Sequence, residues 1–210
     1  ILLLTACAVE AGTPDVGITE LPDWVVAPEH TYKKSALKSA TDGFVYSLWN
    51  EQIHVEKGAV YNNIIREIIS EAGVQNGSNI SVNFNPAYEK LEFHKITIWR
   101  DNKPLNRLSK SVFKVIANEE ELSRFLYFGN YSAFLILDDV RKGDQIEYSY
   151  TITGNNPVFA GKFSREIYFQ GIAPISQLYT SLIVSKDRDL HFKDFNTVPT
   201  AKIYHMGGNM

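Results

Sequence analysis

The sequence holds a single cysteine, Cys7, among 210 residues. One thiol cannot close an intramolecular disulfide, so the fold is not stapled. Past its first residues the chain has no uninterrupted apolar run of about 18, the length that a membrane-spanning helix needs. It has no excess of positive charge either. Lys and Arg number 21 against 24 Asp and Glu, a formal −3, and no basic run is interleaved with aromatics. A general nucleic-acid binder is therefore not expected. No repeat of fixed period and no low-complexity tract is found.

Catalytic patterns are equally scarce. A cysteine peptidase or transglutaminase needs a thiolate, a His partner and an orienting group, and the one thiol stands at position 7. No G-x-S-x-G elbow occurs. No Gly-rich loop follows a strand and opens a helix. The five histidines, His30, His54, His94, His191 and His205, are too far apart in sequence for the close spacing of a metal site. No catalytic residue, cofactor or metal ligand is assigned, and the chain is expected not to be an enzyme. Glu56, Glu67 and Glu92 are carboxylates by type alone.

What is present is β-pattern. Twelve Phe and eleven Tyr within a 44% hydrophobic composition supply large core side chains, and a chain of this length buries roughly 70% of its unfolded surface. The cleanest signal lies in Ala133–Pro157, AFLILDDVRKGDQIEYSYTITGNNP. An apolar run, Ala133–Leu137, leads into a charged turn, Asp138–Asp144. Then Ile146, Tyr148, Tyr150 and Ile152 alternate with Gln145, Glu147, Ser149, Thr151 and Thr153, a period of two that marks a half-buried strand. Gly154-Asn155-Asn156-Pro157 ends it. The stretch reads as a hairpin with a long charged loop, around which the sheet is built. Tyr148 and Tyr150 share a face; with Ile146 and Ile152 beside them they read as core, against an alternative glycan or peptide platform. Asp138, Asp139, Asp144 and Glu147 read as a solvated turn balanced by Arg141 and Lys142, against an alternative Ca²⁺ loop.

Other segments follow the same logic. Phe44–His54 reads as a strand with Val45, Ser47, Trp49, Glu51 and Ile53 opposite Phe44, Tyr46, Leu48, Asn50, Gln52 and His54. Ala59–Ala72 is ambiguous: Ile64, Ile65, Ile68 and Ile69 make a helical stripe, but β-branched residues suit a strand. Val74–Ser78 reads as a turn. Asn79–Phe84 and Tyr88–Trp99 read as strands, the second with a phase change at His94-Lys95 that suits a β-bulge. Asp101–Pro104 turns the chain back. Val112–Ile116 is a short strand. Asn118–Phe128 reads as a helix, with Asn118 and Glu121 as a capping box and Leu122, Phe125 and Leu126 as its buried stripe. Lys162–Gln170, Ser176–Val184 and Leu190–Phe195 read as further strands. Trp24-Val25-Val26 is a short strand or a docking contact. Ten or more short strands and one helix predict an all-β antiparallel sandwich.

The charged turn followed by GDQIEYSYTITGNNP, continuing through IYFQGIAPISQLYTSLIVSKDRDL, resembles the DUF3857 family. This is a bacterial domain of unknown function found N-terminal to transglutaminase-like domains. The resemblance extends loosely upstream to Phe44. It implies that Ala59–Ala72 is a long strand paired with the preceding one. It also implies a partner, the transglutaminase-like domain, which these residues do not include. The opening Leu4-Thr5-Ala6-Cys7 resembles the end of a bacterial lipoprotein signal, with Cys7 as the lipidated residue; cleavage after Ala8 is the alternative. Either reading makes the protein exported, periplasmic or anchored to the outer membrane through lipid at Cys7. The sequons at Asn76, Asn79 and Asn130 then carry little weight.

The expected layout is a signal remnant over 1–7, a lead or tether over 8–42, the sandwich over 43–200 and a truncated segment over 201–210. The expected role is a non-catalytic accessory domain that supports the transglutaminase-like domain. The alternative is a free-standing cell-envelope module for glycan or peptide.

Overall fold

Strands that alternate apolar and polar residues must bury one face, and here two sheets bury theirs against each other. A computed structural model describes residues 14–29, 40–109, 113–118, 129–171 and 173–204. The elements are β1 (Gly17–Ile18), β2 (Phe44–His54), β3 (Ala59–Ile68), α1 (Glu71–Gly77), β4 (Asn79–Phe84), β5 (Lys90–Arg100), β6 (Lys103–Asn106), β7 (Lys114–Ala117), β8 (Tyr131–Ile136), β9 (Gln145–Thr153) and β10 (Leu178–Ile183). The larger sheet has the order β1-β5-β9-β3-β2-β10, with β6 also paired to β5; the smaller is β4-β8-β7. Ile64 and Ile68, Ile96 and Ile98, and Ile146 and Tyr148 line the inner face of the larger sheet. They belong to one core with Ile80, Val82, Phe84, Ala133 and Leu135 of the smaller.

The all-β sandwich is thus as expected, but it is not purely antiparallel. Its outermost pairs, β1 with β5 and β10 with β2, are parallel. Both join segments far apart in sequence, which parallel pairing requires. Ala59–Ile68 is the long strand that the resemblance implied, with β2 and β9 on its two sides. The bulge falls in β5 at His94. At Asp101-Asn102 both residues have positive φ, 49° and 62°, between Arg100 and Lys103, which pair directly. This is the two-residue turn favoured by strand twist.

Several expectations are corrected. Ala133–Pro157 is not a hairpin: β8 pairs with β4 and β7, whereas β9 lies between β3 and β5. The charged segment between them is a corner that carries the chain from one sheet to the other. Val74–Ser78 is not a free turn but overlaps a helix, because Ser70 caps α1 by accepting from the Gly73 N–H. Gly73 is required there: a methyl group would lie 1.9 Å from the Gly43 carbonyl oxygen. That carbonyl also accepts from Ile69 and Ser70.

In β2 the alternation changes phase at Ser47, where the register with β3 shifts. Phe44 and Tyr46 therefore share a face with Trp49 and Glu51. Lys162–Gln170 and Leu190–Phe195 form no strand. Among the described residues no strand pairs with them, and Phe192 and Phe195 are exposed. The short strand expected at Val112–Ile116 is Lys114–Ala117. The proposed helix beyond Asn118 lies outside the described residues.

Part of the N-terminal lead enters the sandwich. Val16 is in the core and β1 extends the sheet. Trp24-Val25-Val26 is a docking contact and not a strand: Val26 exchanges two hydrogen bonds with the Gln52 amide, and Trp24 sets its edge on the His54 ring.

The corner between β8 and β9 is tied by ion pairs. Arg100 of β5 donates to both carboxylate oxygens of Asp144, at 2.9 and 2.7 Å, and at 2.9 Å to Asp139. The Arg141 N–H donates to Asp144 as well. Beside them Gly143 and Asp144 exchange main-chain bonds with Ile68. Asp144 is 2% exposed, so removing its charge leaves a guanidinium short of its partner in a partly dry site. Asp144→Asn is expected to lower the midpoint of urea unfolding clearly more than Asp139→Asn, whose side chain reaches solvent. Equal shifts would contradict this ranking.

Candidate functional site: an aromatic rim around an arginine

The phase change in β2 gathers side chains that the linear pattern separates. Cross-strand rows on the inner face run Tyr46, Arg66, Ile146; then Trp49, Ile64, Tyr148; then Glu51, Asn62, Tyr150. Tyr46 and Trp49 lie with ring centroids 5.0 Å apart, and Phe44 meets Tyr46 edge-on at 5.5 Å. The Arg66 guanidinium stands 5.1 Å from the Tyr148 ring, 5.5 Å from Phe44 and 5.6 Å from Tyr46, within cation–π range of all three. It donates to the Tyr148 hydroxyl at 2.8 Å and to the carbonyls of Asn79 and Gly77. Its Nε is buried with no acceptor. At the rim Glu51 accepts from Arg165 at 3.0 Å.

Two tyrosines on one strand face have different roles here. Tyr148 is 3% exposed and is core, as its apolar neighbours predicted. Tyr150, packed parallel to it at 6.4 Å, is only half-buried, as are Tyr46 and Trp49. Burial pushes the Tyr148 phenol up to about 12, against the pull of Arg66, and burial raises Tyr150 further. Both stay neutral near pH 7. Tyr150 can stack on a ligand, whereas Tyr148 is closed off in the core, and both are poor nucleophiles.

The opposite face of this sheet is polar and partly strapped. At the β5 bulge His94 and Lys95 both point outward. His94 Nε2 lies 2.7 Å from the Thr151 hydroxyl, and Nδ1 lies 3.2 Å from the Thr19 carbonyl. A hydroxyl beside an imidazole is the first element of a nucleophile pair. Thr151 is buried, however, and the third group is the lead's backbone, so the arrangement clasps the lead to the sheet. Farther along, Glu147 accepts from Trp99 and Lys95.

Of the residues singled out by sequence, only two acids of the charged turn are brought together. Asp139 and Asp144 share Arg100, while Glu147 lies on the outer face with Lys95 and Trp99. Among the described residues no group of three or more His, Cys, Asp or Glu could hold a metal. Glu92 sits in the row of Thr151 and Tyr61, and Glu67 lies six residues along β3 from Tyr61. That is roughly 20 Å at strand rise, far beyond the roughly 5–10 Å of a working carboxylate pair. Glu56 is in the β2–β3 turn, held by Ser185 and Arg188. Cys7 lies outside the described residues. Tyr46, Trp49, Glu51, Arg66 and Arg165 were not flagged by sequence, because a bulge leaves no residue signature in an already apolar strand.

Residues 54–208 match the family described as a domain of unknown function with a solved structure, DUF3857. The match covers most of the chain, which therefore belongs to that family. It begins at the last residue of β2. No curated protein matches. A solved structure from Parabacteroides distasonis ATCC 8503, described as a candidate protease, is similar at 11% identity and a TM-score of 0.47. The similarity covers 54% of this chain and 23% of that protein, so the chain spans under a quarter of its length.

Two outcomes follow from this geometry. Tyr148→Ala removes a core ring and the hydroxyl that accepts from Arg66. It is expected to destabilise by about 3–5 kcal/mol in urea unfolding; an unchanged midpoint would place Tyr148 at the surface. The second concerns pH. Burial holds the His94 imidazole below its ordinary value, with the Thr19 carbonyl working the other way. Burial and Lys57 lower His54 too. The unfolded chain then binds more protons, so the stabilisation from neutral imidazoles is complete above about pH 6.5 and is lost as pH falls through the folded value. The unfolding midpoint should fall between about pH 7.5 and 5.5 less steeply in His94→Gln than in the parent. Identical slopes would contradict the clasp.

Proposed function

From membership in that family, we propose that this chain is a non-catalytic, exported accessory domain that supports a transglutaminase-like, cysteine peptidase-like domain outside these residues. The observation that carries the reading is the position of the only thiol. Cys7 precedes every described strand, so the described sandwich offers no sulfur nucleophile for acyl transfer. The candidate acids and bases are also committed elsewhere. Asp139 and Asp144 hold Arg100, Glu147 holds Lys95 and Trp99, and His94 holds the lead. The apolar start ending at Cys7 supports a lipid anchor, and with it a periplasmic or outer-membrane location. Stable anchoring of that kind takes more than one acyl chain.

A second reading is favoured by one observation. Tyr46, Trp49 and Tyr150 are only partly buried beside the Glu51–Arg165 pair, as a free-standing module for glycan or peptide would have them.

The purified chain, incubated with peptide substrates and amine acceptors, is expected to release no fragments and form no cross-links. Turnover that survives Cys7→Ser would overturn the accessory role. For the anchor, metabolic labelling with a fatty acid should mark the parent and not Cys7→Ser; an unlabelled parent rejects it. Quenching of Trp49 fluorescence by a glycan or peptide, lost in Tyr150→Ala, would favour the second reading.

A further inference from the structure

An edge strand presents unpaired N–H and C=O groups and is ordinarily guarded by charge, proline, brevity or a covering element. Among the described residues the edges of this sandwich are guarded to different degrees, and β10 is the least guarded. β6 carries Lys103 and Pro104, β1 is two residues long, and β7 is four residues long with Lys114. β4 is blocked only at its start, where Arg66 donates to the carbonyls of Gly77 and Asn79, and beyond it has no charge or proline of its own. β10 ends the order of the larger sheet, and its sequence, Leu178-Tyr179-Thr180-Ser181-Leu182-Ile183, has no charge and no proline.

The direction of its main-chain groups can be read from the bonds to β2. The carbonyls of Gln177 and Ile183 accept from Trp49 and Val55. With a period of two, the odd-numbered residues of β10 face β2, and Leu178, Thr180 and Leu182 aim their N–H and C=O groups away from the sheet. Among the described residues no strand lies on that side.

We propose that this edge pairs with β10 of a second copy of the chain, antiparallel about a two-fold axis at Thr180. The sequence is complementary to itself in that register. Leu178 faces the partner copy's Leu182, Thr180 faces its own counterpart, and Tyr179 faces Ser181. Apolar thus meets apolar, and threonine meets threonine, one of the favoured cross-strand pairs. The outward residues fall on hydrogen-bonded positions, where each pair exchanges two main-chain bonds. The contact is isologous, so it closes as a dimer and does not propagate. A single strand pair buries less than the roughly 1,200–2,000 Å² of a stable interface, so the dimer is weak and concentration-dependent. This inference does not depend on the accessory role.

The test is sedimentation equilibrium of the whole chain over a wide range of concentration, with two variants. Thr180→Pro removes an N–H that faces away from β2, a position where an edge strand tolerates proline. Thr180→Lys sets like charges opposite each other across the axis. Urea unfolding confirms that each variant is folded. The parent should shift from monomer to dimer with rising concentration, and both folded variants should move that midpoint at least several-fold higher. A parent that stays monomeric throughout, or a dimer indifferent to both substitutions, overturns the proposal.

Discussion

The sandwich depends on how the chain passes from one sheet to the other at Asp138–Asp144. β8 and β9 are consecutive, yet they belong to different layers, so the corner between them fixes the two sheets relative to each other. It is a sharp polar corner near an apolar core, where unpaired charge is costly. Arg100 resolves this by meeting Asp144 with two donors and Asp139 with a third. Asp139 is held below the usual carboxylate range by its bonds to Arg100 and Arg141, and bonding to Asp144 and Asp139 raises the guanidinium. The acidic turn that suggested a cation site already has its cation, and it is a side chain.

With the corner fixed, β9 takes the middle of the larger sheet. Its inner residues, Ile146 and Tyr148, are buried among core residues of both sheets. Its outer residues carry the polar network that receives the lead. The same strand therefore specifies the core and the clasp. The aromatic rim lies beside it, on the inner face near β2, where Tyr46, Trp49 and Tyr150 are only half-buried. The C-terminal segment returns here, bringing Arg165 to Glu51 and then β10 to the open side of β2.

Much of this was readable in the residues. Regular alternation marked β4, β5 and β9, and the doubled polar step at His94-Lys95 marked a bulge, because two polar residues in succession break an otherwise clean period. The β2 bulge was hidden because Tyr46, Leu48 and Trp49 are apolar in either phase, and with it the rim was hidden. Sequence could not separate a hairpin from a corner: both need an apolar strand, a charged turn and an alternating strand, and only partners distant in sequence decide. The alternation at Lys162–Gln170 was misleading for a related reason. Periodicity shows how a strand would divide its faces, but not that a partner is available. Tyr148 was placed correctly from its isoleucine neighbours, whereas Arg66 had no local signal at all.

The central claim is that β9, locked at its corner and flanked by β3 and β5, is the most stable part of a scaffold whose polar groups hold structure together. Native-state amide hydrogen exchange tests this most directly. The account predicts that amides of Ile146–Thr151 and Ile64–Ile68 exchange only through global unfolding, while those of residues 160–171 and 185–204 exchange early. Exchange of the β9 amides at rates like those of the C-terminal segment would contradict it.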